Sequence, residues 1–346
     1  MEVKYSKPSA DVIREISLEI DKAEQTRENQ NRAVQWLLTA PFRDSCILCG
    51  CTISPEVPVY LHRSLDFFFC EECGHFQSFR LPPPGYPMNG NGNEFNNVYP
   101  ELDQADFVSR RDRIYTPKLE WVLNAAVETG FDRDALLKKK WVELGCGGGY
   151  FLDACVHAGV KDVTGIEANE ELAIRAKKQT PLAQVIHSNL PLHDSIRQNP
   201  AEVYTSFFVF EHVEQVEELY MSFAEKPAGT LLVYAVPVFG FSALVDNLVE
   251  YHPARMLDGA VHTQLYTEES INYSLDKAGF DLLAQWVFGA DGIALAELLT
   301  LEMKKKMPGE QFNKLSGKLL EIIDPIQSAI DRNMFADQRH ILAIKR

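Results

Sequence analysis

The chain has no run of eighteen or more uncharged apolar residues, so a membrane-spanning helix is not expected. Its amino terminus, Met1-Glu2-Val3-Lys4-Tyr5, has no apolar core, which argues against secretion and for a cytoplasmic location. Positive charge is scarce: 34 lysines and arginines face 49 aspartates and glutamates, for a formal net charge of −15. That balance favours solubility and opposes tight binding to a phosphate backbone. No internal repeat is visible. At 346 residues, with 46% apolar and 24% charged residues, the composition is that of a globular protein of about two domains.

What is present concentrates in one run, Trp141-Val142-Glu143-Leu144-Gly145-Cys146-Gly147-Gly148-Gly149-Tyr150-Phe151-Leu152. Its core reads acid-x-Gly-x-Gly-x-Gly. An apolar pair leads in and an amphipathic run (Phe151 to Ala158) leads out, which predicts a buried strand, a glycine turn and a helix. Such a turn lets a ligand touch bare backbone. The dinucleotide fingerprint would need glycine at Tyr150 or Leu152, and neither position has it. Glu143, on the strand, suits a ligand carrying positive charge, such as a sulfonium with an α-amino group. Cys146 and Cys155 sit where small buried residues are expected.

The run from Glu143 to Gly149 resembles motif I of the class I (Rossmann-like) S-adenosylmethionine-dependent methyltransferases, and the order of elements continues to match. Asp162–Glu167 follows as a second strand, Gln184–Leu190 as a third with its loop, Glu202–Phe210 as a fourth running into Glu211-His212-Val213, and Thr230–Pro237 as a fifth. The resemblance implies an α/β fold with a doubly wound, seven-stranded, mostly parallel sheet. It also implies S-adenosylmethionine as cofactor. By it Glu167 takes the ribose hydroxyls, as a carboxylate can accept from both. Asn189, beside Leu190, stands where the family usually has Asp toward the adenine amine. Gly145, Cys146, Gly147, Gly149 and Phe208 complete the expected contacts around Glu143.

Cys46-Ile47-Leu48-Cys49-Gly50 and Cys70-Glu71-Glu72-Cys73-Gly74 form two C-x-x-C-G knuckles. Four thiolates at that spacing close a tetrahedral zinc site in a zinc ribbon, with a disulfide framework as the competing reading. Cys51, His62 and His75 lie near enough in sequence to be substitute ligands or bystanders. From Asp44 to His75 the ribbon is acidic, with Asp44, Glu56, Asp66, Glu71 and Glu72 against Arg63 alone, a poor footprint for RNA.

These signals divide the chain into an N-terminal helical segment (1–43, with an apolar stripe through Val12, Ile13, Ile16 and Ile20), a zinc ribbon (44–80), a Pro- and Gly-rich linker or lid (81–117) and a cofactor-binding domain (118–346). Methyltransferases with such a ribbon carry a similar tyrosine segment and arginine helix ahead of motif I. By that resemblance Tyr99 and Arg113, or Arg110, contact the methionine end of the cofactor. Residues 237–264 form an insertion placed to cap the acceptor side. Three histidines are candidates for the base that methyl transfer to a protonated acceptor requires: His212, at the junction after the fourth strand, and His252 and His262 in the insertion. The tail, Gln338 to Lys345, reads as the last, antiparallel strand.

The closest family likeness is to enzymes that methylate sugars, nucleotide-linked sugars or related natural-product and polysaccharide precursors, on oxygen, nitrogen or carbon. A small-molecule acceptor is therefore expected, without nucleic acid or membrane, and with the oligomeric state open to a homodimer. An RNA methyltransferase is the alternative reading, and a scaffold that kept the fold is the third. Glu143, the motif glycines and Glu167 count against the scaffold, which needs none of them.

Overall fold

The computed structural model describes residues 1–9, 23–54, 56–81, 101–248, 254–257, 262–307 and 309–346. Along these the strands are β1 (Glu2–Tyr5), β2 (Tyr60–His62), β3 (Leu65–Phe69), β4 (Phe76–Ser78), β5 (Lys140–Leu144), β6 (Asp162–Glu167), β7 (Gln184–His187), β8 (Val203–Phe207), β9 (Leu231–Pro237), β10 (Gln264–Leu265), β11 (Phe280–Val287) and β12 (Gln338–Lys345).

The larger sheet has the order β1-β11-β12-β9-β8-β5-β6-β7. From β9 to β7 all neighbours are parallel, while β12 runs antiparallel to both β9 and β11. Every residue of β8 and β9 is buried, as expected of strands covered on both faces. Alternation divides them between two apolar layers. Val142, Leu144, Leu232, Tyr234 and Val236 join one cluster, and Trp141, Leu231, Val233 and Ala235 join the other. The chain leaves β5 toward β6 and β7 on one side, then returns to β8 and β9 on the other. This reversal opens a crevice beyond the carboxyl ends of β5 and β8.

The sheet has eight strands where the sequence predicts seven. The extra one is β1, parallel to β11 and anchored by Trp286, whose Nε1 donates to the Ser6 carbonyl at 3.0 Å beneath the Lys4 ammonium. Pairing across some 280 residues leaves no local signal. The predicted N-terminal helix is present as Ala23–Leu37, and residues 10–22 lie outside the described residues. The fourth strand stops at Phe207, three residues short of its predicted end, because Phe208 turns to φ 59° and Phe210–His212 form a 3-10 turn.

A second sheet, β10-β4-β3-β2, joins the cysteine region to the main domain. Its edge strand β10 comes from the segment after β9 and pairs antiparallel with β4, Gln264 opposite Gln77 and Leu265 opposite Phe76. Cys46, Leu48, Phe68, Cys70 and Cys73 share one core with Tyr220, Tyr266 and Phe280. Val34 and Leu37 pack with Phe67 and Phe76 against Met256 and Leu257 of the insertion. The insertion is pinned by polar contacts as well. Gln30 bonds Ala254 through both its amide groups, each at 2.8 Å, and Asp246 accepts from the backbone of Arg255 and Met256. Arg255 Nε meets the fully buried Asp337 carboxylate at 2.7 Å. Among the described residues no helix is long and apolar enough to cross a membrane.

Because Asp337 is fully buried, Arg255→Ala leaves a carboxylate without its cation and should destabilise the protein by about 2–4 kcal/mol. Denaturant unfolding measures this, and the Arg255→Ala/Asp337→Asn pair should recover part of the loss.

Candidate active site

The glycine turn sits at the mouth of the crevice. Gly145 N and Cys146 N both donate to the Ile166 carbonyl, at 2.8 and 3.1 Å, which folds the turn back over β6. Gly145 has φ 71°, and a Cβ there would lie 2.4 Å from a Val209 methyl. The turn therefore needs glycine for both its conformation and its clearance. Glu167, at the end of β6, accepts from Gly147 N at 2.7 Å and Asn169 N at 2.8 Å. Each of its oxygens keeps a lone pair for a diol. Burial raises the Glu167 carboxyl above its ordinary value, and the two backbone donors oppose that shift.

Glu143 is 3% exposed, and its Oε2 has no hydrogen-bond partner among the described residues. A buried polar atom left so is costly unless a ligand supplies the missing donor. Burial pushes this carboxyl well up, and nearby Lys118 opposes the shift. Lys118 is a residue that the sequence reading missed. It is buried, with its ammonium 4.9 to 5.1 Å from the ring centroids of Phe207, Phe208 and Tyr115, and burial brings its pKa down to about 7. An orphaned carboxylate oxygen beside glycine backbone and a diol-accepting acid fits S-adenosylmethionine.

The cleft has a volume of 580 Å³ and is lined by Gly145, Gly147, Glu167, Asn189 and Leu190 at one end and by Phe208, Val209 and His212 at the other. Of the remaining predicted contacts, Cys146 and Gly149 belong to the turn but not to the lining. Arg113 reaches Ser109 at 3.4 Å on the preceding helix and does not line the cleft. Its neighbour Arg111 is buried in an ion pair with Asp153 at 2.7 Å. Tyr99 and His252 lie outside the described residues. Instead, Phe107 and Tyr115 stack on Tyr150 at the start of the helix after the glycine turn.

The far end of the cleft brings together two of the predicted histidines. His212 and His262 stack with ring centroids 5.4 Å apart and planes 20° from parallel. Glu211, not singled out as a site residue in the sequence, stands beside them, its Oε1 3.8 Å from His212 Nε2, and burial pushes its carboxyl up to about 8. Gln264 holds this turn. Its amide nitrogen donates to the carbonyls of Glu211 and Val213 at 2.9 and 3.0 Å, and its oxygen accepts from His75 Nε2 at 2.8 Å. His75 thus serves the turn, and His62 bonds the Leu257 carbonyl; neither joins the cysteines.

Those cysteines converge. The sulfurs of Cys46, Cys49, Cys70 and Cys73 all lie within 4.8 Å of one another, and all seven cysteines are unbridged. The Cys46–Cys73 and Cys49–Cys70 separations are 3.7 and 3.6 Å. A zinc–sulfur bond of about 2.3 Å sets a tetrahedral sulfur–sulfur edge of about 3.8 Å, so the cluster fits zinc and excludes the disulfide reading. Each knuckle is closed by its glycine: Gly50 N donates to Cys46 O and Gly74 N to Cys70 O, both glycines at φ 71°. Gln77 Nε2 donates to Cys46 Sγ at 2.9 Å, orienting that ligand. Cys51 Sγ lies 3.4 Å from Cys70 Sγ, outside the set of four.

Residues 118–285 match a family described as "Methyltransferase domain". A curated relative, the mitochondrial ubiquinone biosynthesis O-methyltransferase of Schizosaccharomyces pombe, is 29% identical over 148 residues, 41% of this chain and 54% of the relative. The chain thus spans about half the length of that relative. Among solved structures, the magnesium protoporphyrin IX methyltransferase of Synechocystis PCC 6803 with bound SAH is similar at 13% identity and a TM-score of 0.43, covering 74% of this chain and 95% of that one. A SAM-dependent methyltransferase from Archaeoglobus fulgidus is similar at 17% identity and a TM-score of 0.40, covering 60% and 86%.

Elemental analysis of the purified chain should find about one zinc per molecule, lost in the Cys46→Ser/Cys49→Ser variant together with much of the thermal stability. Lys118 gives a pH-dependent outcome. Below its folded value of about 7 the ammonium is charged in both states and the folded state bears the full burial penalty. Above the unfolded value of 10.5 neither state is charged and the penalty vanishes. Lys118→Met should therefore raise the melting temperature more near about pH 6 than near about pH 10.

Proposed function

We propose that the chain is a class I, S-adenosylmethionine-dependent methyltransferase, built on the methyltransferase-domain match of residues 118–285, and that it methylates an oxygen of a small organic acceptor, with sugar and other natural-product hydroxyls as the leading class. The observation that carries this reading is the continuous cleft from Gly147, Glu167 and Asn189 to Phe208, Val209 and His212. It joins groups suited to an adenosyl cation with an apolar wall and an imidazole.

Several features support the acceptor class. A cavity of 580 Å³ is the size of a small-ligand site, typically about 300–1,000 Å³. The acidic ribbon and the net charge of −15 disfavour a polyanion. Transfer to oxygen is favoured over nitrogen or carbon by the similarity to an O-methyltransferase.

S-adenosylmethionine, when bound, supplies an electrophilic methyl group on a cationic sulfur. Glu143 offers the unpaired carboxylate oxygen that receives the ligand's amino group, and Glu167 accepts the ribose hydroxyls. Phe208 and Val209 keep water from the reacting end. Phe208 does so from a left-handed backbone conformation that a bulky residue rarely adopts, held by its N–H to the Ala235 carbonyl at 2.8 Å. Glu211, His212 and His262 form the polar group that must ease the acceptor proton away.

Titration calorimetry with S-adenosylmethionine should show binding to the wild type, none to Gly145→Val, and about 10- to 100-fold weaker binding to Glu167→Ala. A wild type that gives no heat or protection from unfolding would sink the reading. With methyl-labelled cofactor, label should pass to members of a sugar and phenol panel; label found on RNA alone would overturn the small-molecule acceptor.

A further inference from the structure

Glu211 is 1% exposed, and neither of its carboxylate oxygens has a hydrogen-bond partner among the described residues. Burying a carboxylate without partners costs several kcal/mol, so such groups in folded proteins normally face a cation or a ligand. No lysine or arginine is paired with this one among the described ion pairs. What faces it is imidazole. One ligand atom each from Glu211, His212 and His262 fall within 4.8 Å of one another.

The surroundings orient these groups. His262 Nδ1 lies 3.1 Å from the Met256 carbonyl, which can only accept, so Nδ1 carries the proton and Nε2 presents a lone pair. The Glu211 carbonyl is tied to Gln264, which fixes the turn from which both Glu211 and His212 project. His212 lines the cleft beside Phe208 and Val209.

We propose that Glu211, His212 and His262 bind one divalent transition-metal cation at the acceptor end of the cleft. Two imidazoles and one carboxylate suit manganese, iron, cobalt or zinc, and three protein ligands leave positions open for oxygen atoms of a ligand. Tetrahedral sites with nitrogen and oxygen ligands have edges of about 3.4 Å, so the 3.8 Å between Glu211 and His212 needs only a small closure. This centre differs in chemistry from the all-thiolate cluster of the ribbon, which selects softer ions.

The assignment of a role rests on the methyl-transfer reading above. There the cation would polarise the acceptor hydroxyl. The hydroxyl would lose its proton to bulk water as the acceptor binds the cation, and its oxygen would then bond to the methyl carbon as the carbon–sulfur bond breaks with its pair on sulfur. His212 and His262, as ligands, stay neutral and serve as holders of the cation instead of bases.

The test is a Mn²⁺ titration of the full chain carrying one zinc, held by the four cysteines, with any further metal first removed by dialysis against a weak chelator, followed by the electron paramagnetic resonance signal of free Mn²⁺. The wild type should take up about one Mn²⁺ per chain, and His262→Ala should weaken that binding by about 100-fold or more. Glu211→Gln should abolish it while raising the melting temperature of the Mn²⁺-free protein, because it removes the unpaired buried carboxylate. That opposite pair of effects separates ligation from simple misfolding. No uptake by the wild type of Mn²⁺, and none of Co²⁺ in a parallel titration, overturns the proposal, as does uptake that persists in both variants. Calorimetry with S-adenosylmethionine on the same samples keeps the readings apart: loss of cofactor binding with Mn²⁺ uptake intact counts against methyl transfer and leaves the cation site standing.

Discussion

The side-chain amide of Gln264 makes three hydrogen bonds that tie the molecule's parts to one another. Its oxygen accepts a hydrogen bond from Nε2 of His75, one residue beyond the second cysteine knuckle, and its nitrogen donates to two carbonyls of the turn that carries Glu211 and His212. All the groups are buried or nearly so, and a buried amide that loses a partner is expensive. The ribbon and the acceptor end of the cleft therefore share one polar junction, reinforced by the β4–β10 pairing. The cysteine cluster is less an appended lobe than one wall of the domain. Through His75 and Gln264 it is tied to the turn after β8.

Three buried carboxylates, of which Glu167 lines the cleft, are balanced by different means. Glu167 is held by two backbone N–H groups, Glu143 lies in the field of Lys118, and Glu211 has only the His212 imidazole, at 3.8 Å, among the described ion pairs. A site that is electrostatically incomplete by itself gains most from the ligands that complete it.

The parts legible in the sequence are those encoded by short spacing. Glu143, Gly145, Gly147 and Gly149 lie within one turn, and Glu167 is fixed by the length of a single helix and strand. The two C-x-x-C-G knuckles signal their turns through glycines that must take positive φ. Strands β5, β8 and β9 were also readable, from their apolar-rich runs and their order around the glycine turn. Long-range pairings left no such trace. Nothing near Glu2–Tyr5 indicates that β11 will accept it, and Gln264 looks like any polar residue before a leucine. Lys118 and Glu211 were passed over for a related reason: a charged residue in a helix or a turn reads as solvated until its neighbours are known. The insertion's histidines were chosen for their chemistry, and only tertiary structure could pair His262 with His212.

The shared sheet also sets an order of events as the chain is made. The strands of the cysteine lobe emerge early, yet the strand that closes their sheet lies 189 residues beyond His75. Until that strand arrives, β4 offers an unpaired edge, and the apolar faces of Phe67 and Phe76 await Met256, Leu257 and Leu265. The cysteines can close locally around a metal, because both knuckles are short. A metal bound at that stage would hold the lobe together through the synthesis of most of the domain, so that the ribbon acts as a fixed end on which the later insertion folds.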